Sequence, residues 1–382
     1  MAKVNPTLMS KIKNLGAFDV TACYNCGECT AICPLVENGF EFPRIMIRYA
    51  ILGLEDKLLS KPQLWLCYYC GDCSDSCPRE ADPGAFMMAA RRYSIIKYSV
   101  GGIAKIFYSK VLSVVVMLIL SIIAAIGIFA LKGDLNLQTF DVYSLIDTAT
   151  IHNLGLILAA FIGIIAFIQA MKMISYIRHS AIDGELGIGA KIRAFIVSFI
   201  KIIIGEGVLE LNYQKCKDKK RFISHFLIFW GFVLLMAATS LNYLKESNLL
   251  GFRDQFEFLK AIDLTVFPTM AKILGIVGGA IVLCGSIYFI YMRIAKNDVY
   301  SEYSHISDWV FIILVFLAAL TGFIIDLFIY ANMPLYAYVS YAFHLIVVFD
   351  LLVTAPFTKF AHFGYRLIAV WFQEYQKLKV KK

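Results

Sequence analysis

The stretches CYNCGECTAICP (residues 23–34) and CYYCGDCSDSCP (residues 67–78) decide the fold of the first part of this 382-residue chain. Both read C-x2-C-x2-C-x3-C-P, and together they hold eight of the ten cysteines. This run is typical of ferredoxins with two [4Fe–4S] clusters, in which the fourth cysteine of each run ligates the other cluster. The pattern therefore predicts two cysteine sets. They are Cys23, Cys26, Cys29 and Cys77 for one cluster, and Cys67, Cys70, Cys73 and Cys33 for the other.

Zinc sites and disulfides are the alternative uses of these cysteines. Zinc sites usually combine two separate CxxC pairs rather than two four-cysteine runs. Disulfides need an oxidising compartment, whereas the topology predicted below places these residues in the cytoplasm. The pattern thus favours iron–sulfur clusters and an electron-transfer role. Cys216 and Cys284 belong to no such pattern and are expected to be bystanders.

The composition predicts a membrane protein, since 59% of the residues are hydrophobic and only 17% are charged. The apolar excess follows residue 110, in runs as long as the ~20 residues that cross a bilayer. A charged segment precedes the first run, so this run is not expected to be a signal peptide. A shorter run, Ile192–Ile204, is expected to lie along the membrane interface. The six predicted spans are 111–131, 151–173, 222–244, 270–292, 309–330 and 335–357.

The distribution of charge predicts the sidedness. Basic residues concentrate between the second and third spans and in the C-terminal tail, whereas the opposite loops are acidic. By the positive-inside rule, both termini and the cysteine-rich domain are expected in the cytoplasm, on a multi-pass protein of the inner (cytoplasmic) membrane. The net charge of +8 follows from this topology and from attraction to anionic lipid, and it does not indicate nucleic acid.

These features together predict an all-α protein with two domains. Residues 1–98 are expected to form a small helical ferredoxin domain, and residues 99–382 a six-helix transmembrane bundle. Proline and glycine bracket a predicted helix over 43–53, and a second helix is expected over Pro83–Arg92. Because so small a domain has a limited core, removal of the clusters is expected to unfold it.

The histidines predict haem. His344 and His362 are 18 residues apart, about five turns of a continuous helix, so they would share one face at depths ~27 Å apart. His225 begins the third span on the side of His362, and His152 begins the second span on the outer side. We therefore expect two bis-histidine haems b, from His225 with His362 and from His344 with His152. The alternative is that these histidines tether helix ends at the interface.

Several other residues are weaker candidates. His179 is not expected to be a ligand, and His305 is expected to be solvated in a short loop. Arg221 and Arg366 flank the predicted haem ligands, so they either pair with haem propionates or anchor the chain at the membrane surface. Asp326 and Asp350 lie in the last two predicted spans, where they could take protons from quinol or have structural roles.

Two segments resemble known oxidoreductase components. Residues 23–34, 43–53 and 65–78 resemble the C subunit of heterodisulfide reductases. The segment Arg221–Phe232 with His225, together with His344 and His362, resembles the cytochrome b subunits of heterodisulfide and respiratory nitrate reductases. The fusion of the two parts resembles the C subunits of the quinone-interacting membrane-bound oxidoreductase (Qmo) complexes of sulfate reducers.

The resemblance implies a function and partners. Members of that family exchange electrons with menaquinol and connect to two soluble flavoprotein iron–sulfur subunits, which serve adenylylsulfate reductase. One position departs from the pattern, because Leu235 stands where the nitrate reductase subunit has a second histidine. The outer haem therefore has to use His152 or is absent. Quinol is expected near the outer face by His344, with a site on the cytoplasmic side as the competitor.

Two other functions remain open. A related complex could pass electrons from quinol to a heterodisulfide-type or other flavoprotein through the same sites. A membrane anchor or assembly factor with a structural metal domain would instead have no haem and no redox-active cluster. The sequence leaves the direction of electron flow undecided.

Overall fold

A computed structural model describes residues 4–38, 42–180, 188–208, 219–246, 267–296 and 303–380. These residues form helices and loops without any strand, which confirms the predicted all-α class. The helices of the N-terminal part are α1 (Leu8–Lys13), α2 (Glu28–Ala31), α3 (Arg44–Ile51), α4 (Glu55–Leu59), α5 (Gln63–Leu66), α6 (Asp72–Asp75), α7 (Pro83–Tyr98) and α8 (Ala104–Phe107). They are followed by α9 (Lys110–Leu131), α10 (Val142–Leu145), α11 (Thr148–Ser180), α12 (Ile188–Ile200), α13 (Lys219–Glu246), α14 (Phe267–Ala295), α15 (Ile306–Tyr330), α16 (Pro334–Thr354) and α17 (His362–Val380).

Six of these helices, α9, α11 and α13 to α16, are long and apolar enough to cross a membrane. They confirm the six predicted spans, although α11 is much longer than predicted. Helix α12 continues into a π-helical segment, Lys201–Val208, and exposes an apolar face that includes Phe195 and Phe199. Residues 209–218 and 247–266, and with them Cys216 and much of the charge behind the predicted sidedness, lie outside the described residues.

Helices α13 and α14 pack with their backbones in close approach because glycines line the contact. A Cβ atom at Gly231 of α13 would lie 2.3 Å from Val282 Cγ2, and one at Gly285 of α14 would lie 2.8 Å from the Ser224 carbonyl oxygen. Small residues at such contacts are the usual means of packing transmembrane helices. This packing fixes the helix that carries His225.

The N-terminal domain and one end of the bundle share a hydrophobic core. Trp65 and Tyr98 of the domain are buried against Tyr365 of α17, and Ile177 of α11 and Phe357 belong to the same core. We call the helix ends at this contact the domain-side ends, and the opposite ends the far ends. Helix α7 takes part in this contact through Tyr98, where it ends six residues beyond the predicted end. Asp82 caps its start by accepting a hydrogen bond of 3.0 Å from the Ala85 N–H.

The structure corrects the predicted continuous helix through His344 and His362. Helix α16 ends at Thr354, and two 3-10 turns separated by Thr358, which has extended backbone angles, precede α17. Pro356 lies in this interruption, and proline can neither donate the helical hydrogen bond nor avoid a clash with the preceding turn. His344 therefore lies at the middle of α16 and His362 at the start of α17, and the five-turn argument for a shared face fails.

Candidate iron–sulfur and haem sites

The two cysteine runs fold alike. In each run, a glycine with a left-handed backbone, Gly27 (φ 101°) or Gly71 (φ 93°), precedes a single helical turn that contains the third cysteine. Asn25 and Tyr69, at equivalent positions before the second cysteine, also have positive φ. These conformations wrap the first three thiols of each run around one centre, as the ferredoxin pattern requires.

The surroundings of Cys29 and Cys33 bear on the crossed assignment. Burial, together with the neighbouring thiols of Cys23, Cys26 and Cys77, raises the pKa of Cys29 to about 11. Burial likewise raises the pKa of Cys33 to about 12, with contributions from the neighbouring thiols of Cys67 and Cys70 of the other run and of Cys29 of its own run. Cys33 is therefore near thiols of the other run, but Cys29 of its own run is also near, and the crossed assignment stays a prediction. Buried thiols of this kind become thiolates only beside a strong positive charge such as iron.

A cavity of about 360 Å³ is lined by all four cysteines of the second set, Cys33, Cys67, Cys70 and Cys73. The described cysteines are all free thiols. Among the described residues, no three Cys, His, Asp or Glu side chains converge closely enough to hold a single metal ion. Four thiols around an open cavity suit a cluster with several irons better than a zinc ion, whose ligands lie ~2.3 Å from one centre.

The two cysteine sets have different surroundings. The cavity of the second set is also lined by Lys201 and by Val370 and Glu374 of α17, so the membrane part covers this set. The first set faces outward, since Cys26 is exposed and the side chain of Tyr24 is 60% exposed. The second set is therefore the one next to the bundle.

His362 and His225 lie close together at the domain-side end. His362 Nδ1 lies 2.6 Å from the Lys359 carbonyl oxygen, so it carries the proton and leaves the Nε2 lone pair for a metal. Surrounding protein atoms lower the pKa of His362, and the nearby His225 contributes to this decrease. His362 is nevertheless one of the exposed residues of the chain, so its ring is open to a ligand. A neutral imidazole with a fixed tautomer suits axial ligation of haem iron.

His344 also has its Nδ1 occupied. The Thr321 Oγ1 lies 2.7 Å from His344 Nδ1 and 2.7 Å from the Leu317 carbonyl oxygen. Because a hydroxyl has a single proton, Thr321 satisfies both contacts when it donates to the carbonyl and accepts from the Nδ1–H. This arrangement leaves Nε2 of His344 as a possible metal ligand.

The structure places the predicted partner His152 at a different depth. His152 lies four residues from the far end of α11, where its ring contacts that of Tyr243 with centroids 4.8 Å apart. His344 lies ten residues from the far end of α16, which is about 15 Å along the helix. The corresponding distance of His152 from the far end of α11 is about 6 Å. No described contact joins the two residues, and their joint ligation stays a prediction. The side chain of His179 lies outside the described part of the chain.

Arg221 and Arg366 contact the ferredoxin domain. Arg221 donates a hydrogen bond to the Tyr69 carbonyl and lies 5.3 Å from the centroid of the Tyr69 ring. Arg366 donates a hydrogen bond of 2.7 Å to the Trp65 carbonyl and lies 4.5 Å from the centroid of the Tyr68 ring. Both guanidinium groups therefore hold the second cysteine run, a role that the sequence did not indicate.

The two acidic candidates differ in position. Asp326 is half-buried, four residues before the far end of α15. Asp350 is 3% exposed and lies four residues before the domain-side end of α16, so it is closer to the domain side than predicted. Its Oδ2 lies 2.5 Å from Ser121 Oγ of α9, and its Oδ1 has no hydrogen-bond partner among the described atoms.

The prediction that His305 is solvated is wrong. Its side chain is 3% exposed, and its Nδ1 accepts a hydrogen bond of 3.2 Å from the Ser307 N–H, which caps α15. The loop is buried because Asp308, one turn into α15, pairs with Arg92 of the N-terminal domain at 2.7 Å. The two residues of this contact are more than 200 positions apart in the sequence, so no local pattern predicts it.

The comparisons with known proteins concern the N-terminal part. Residues 19–81 match the family described as the 4Fe-4S dicluster domain. The chain is 43% identical over 94 residues to a protein of Archaeoglobus profundus described as like the C subunit of heterodisulfide reductase, a match that covers 24% of this chain and 50% of that protein. It is 36% identical over 63 residues to the C subunit of the H(2):CoB-CoM heterodisulfide,ferredoxin reductase of Methanothermobacter thermautotrophicus, which covers 16% of this chain and 34% of that protein.

The chain thus spans half or less of the length of these curated relatives, and no solved structure matches it significantly. The family match over residues 19–81 contains both cysteine runs. The N-terminal part of this chain is therefore a 4Fe-4S dicluster ferredoxin domain like that of heterodisulfide reductase C subunits, and six helices able to span a membrane follow it.

Proposed function

We propose that this chain is the membrane subunit of a quinone-linked oxidoreductase complex, which passes electrons between menaquinol and soluble flavoprotein iron–sulfur partners. The observation that carries the proposal is the contact between the second cysteine run and the helix ends that bear His225 and His362. Through Arg221 and Arg366, the two ligand-bearing helices reach the peptide between Trp65 and Tyr69. An electron carrier in the bundle and one in the domain would therefore be neighbours.

In this proposal, the cysteines and the histidines hold different cofactors. Cysteines hold two [4Fe–4S] clusters, His225 with His362 holds one haem b, and His344 holds a second, with His152 as its predicted partner. When bound, these groups supply one-electron carriers, while the protein supplies ligation, burial and charge. The outward face of the first cysteine set, with exposed Tyr24, is where a soluble partner would receive or deliver electrons.

The resemblance to Qmo proteins supports adenylylsulfate reductase as the final partner in sulfate reduction, with the domain on the cytoplasmic side of the inner membrane. A second candidate is a heterodisulfide reductase-like complex with another electron partner. It is favoured by the names of the relatives that match the ferredoxin domain. Co-purification of the soluble partners from the native membrane distinguishes the two complexes.

The test of the proposal is the visible spectrum of the purified chain, with iron and haem quantified, before and after addition of a menaquinol analogue. We expect haem b bands, about eight irons in clusters and reduction of haem by quinol. A chain without haem bands is a membrane anchor rather than a quinone-linked electron carrier.

A further inference from the structure

The arginines that hold the second cysteine run stand in a regular relation to the histidines. Arg221 lies one turn before His225 on α13, and Arg366 lies one turn after His362 on α17. They reach the rings of consecutive residues, Tyr69 and Tyr68, which form the peptide between Cys67 and Cys70.

A third guanidinium completes the arrangement from within the domain. Arg91 of α7 donates hydrogen bonds to the carbonyls of Cys67 and of Leu64, the latter at 2.8 Å. Three positive charges therefore surround the first half of the second run. Carbonyls that accept from guanidinium groups are fixed in orientation, because the planar group donates in a rigid fork.

The equivalent peptide of the first run has a different environment. Tyr24, the counterpart of Tyr68, is 60% exposed and has the Arg79 guanidinium of its own domain 5.8 Å from its ring centroid. Arg79 also donates a weak hydrogen bond of 3.5 Å to the Ala22 carbonyl. This pair lies in solvent, where salt screens the charge.

We propose that Arg221 and Arg366 are positioning residues for electron transfer, which hold the cluster of the second run against the domain-side histidines and raise its reduction potential. An added electron increases the negative charge of a cluster, and nearby positive charges in a partly buried site stabilise it. The second-run cluster is then the carrier next to the bundle, and the first-run cluster faces the partner. The inference deepens the proposed function, since it assigns the order of the carriers.

The experiment is potentiometric titration of the full purified chain, followed by electron paramagnetic resonance, with the two cluster signals assigned through the Cys23→Ala and Cys67→Ala variants. In Arg366→Gln and Arg221→Gln, which keep a hydrogen-bond donor but lose the charge, the second-run potential is expected to shift to lower values. The first-run potential is expected to stay unchanged. Arg366→Lys keeps a positive charge at this position, so its second-run potential is expected to lie close to that of the wild type.

The matched control is Arg79→Gln, which is expected to leave the second-run potential unchanged. The proposal is overturned if the Arg221 and Arg366 variants leave the second-run potential in place, or if they shift both potentials equally. Were one Gln variant to lose its clusters, the other decides, since a lowered second-run potential there supports the assignment and an unchanged one contradicts it. Absence of haem from the wild-type chain would defeat the proposed function but leave this measurement interpretable.

Discussion

The Arg92 guanidinium and the Asp308 carboxylate form a buried ion pair with an N–O distance of 2.7 Å that joins the N-terminal domain to α15. Arg92 also donates a hydrogen bond of 2.7 Å to the Leu15 carbonyl, and Lys359 lies 3.1 Å from the other carboxylate oxygen. The Asp308 carboxylate therefore pairs with Arg92 of the N-terminal domain and with Lys359 of the loop that precedes His362. The pair fixes the domain on the bundle at the place where the proposed electron carriers meet.

We expect Arg92→Met to loosen the domain. Removal of one partner from a buried pair usually costs 3–5 kcal/mol, and Lys359 remains beside Asp308, so a loss of about 3 kcal/mol is expected. The measurement is thermal unfolding together with limited proteolysis between the domain and α9. Arg79→Met, at an exposed cation near Tyr24, is the control and should change stability by less than about 0.5 kcal/mol. Equal effects of the two variants would contradict the role of the pair.

The crossed cysteine assignment predicts which cluster each variant disturbs. Cys33→Ala should perturb the cluster of Cys67, Cys70 and Cys73, because Cys33 lines the same cavity as those three. Electron paramagnetic resonance of the purified chain is the measurement, and Cys284→Ala in α14 is the control with no expected effect. A change confined to the signal of the Cys23, Cys26 and Cys29 cluster would show that each run binds its own cluster.

The haem assignment predicts independent losses. His362→Ala should remove one haem and leave the other, because His362 and His225 lie together while His344 bonds to Thr321 elsewhere. Haem content by pyridine haemochrome and the potentials of the remaining haem are the measurements. Two haems per chain in the His362 variant would exclude it as a ligand. Loss of haem in His152→Ala, compared with Tyr243→Phe, tests the weaker partner of His344.

The stability of the domain contact should fall in mild acid because of His305. Burial, together with the nearby Arg92 guanidinium, lowers the pKa of His305 to about 4 in the folded chain, although Asp308 acts in the opposite direction. The unfolded value is ~6.5, so between pH 6.5 and 4 the unfolded state binds the extra proton. Stability is then complete above about pH 6.5 and falls by up to ~1.4 kcal/mol per pH unit below it.

His305→Asn tests the acid sensitivity of this contact. Asparagine keeps a side-chain oxygen that can accept from the Ser307 N–H, but it does not titrate. The variant should unfold at a temperature that depends less on pH between 6.5 and 4 than that of the wild type. An unchanged pH dependence would show that other groups control the acid sensitivity.

Sequence reasoning succeeded where the signal is local. The four-cysteine runs, the six apolar spans and the helix opened by Pro83 all depend on residues close together in the chain, and the structure has them. It failed where distant segments meet. The burial of His305 depends on Arg92, and the roles of Arg221 and Arg366 depend on Tyr69 and Tyr68. Pro356 is a local signal for the end of a helix. The prediction of one continuous helix relied on the 18-residue spacing of His344 and His362 instead, and it was wrong.

The last prediction concerns a proton in the membrane part. Ser121 Oγ lies 2.5 Å from Asp350 Oδ2 and 3.0 Å from the Met117 carbonyl oxygen. A hydroxyl has one proton, so both contacts are satisfied when Ser121 donates to the carbonyl and a protonated Asp350 donates to Ser121. A neutral carboxyl is also the form that an apolar surrounding favours. Its Oδ1 is buried and has no hydrogen-bond partner among the described atoms.

We therefore expect the wild-type infrared spectrum to contain a protonated carboxyl band that Asp350→Asn removes and Ser121→Ala shifts. Asparagine can donate to Ser121, so the variant should fold. A carboxyl that already carries a proton cannot take one from quinol, so Asp350→Asn is expected to oxidise quinol at nearly the wild-type rate. Asp326→Asn, at the far end of α15, is the matched control for an acid at the other side. Normal turnover of Asp350→Asn with slow turnover of Asp326→Asn would place quinol at the far end. A carboxyl band that survives in Asp350→Asn would mean that Asp350 is ionised, and the short contact with Ser121 would then be that of a hydroxyl donating to a carboxylate.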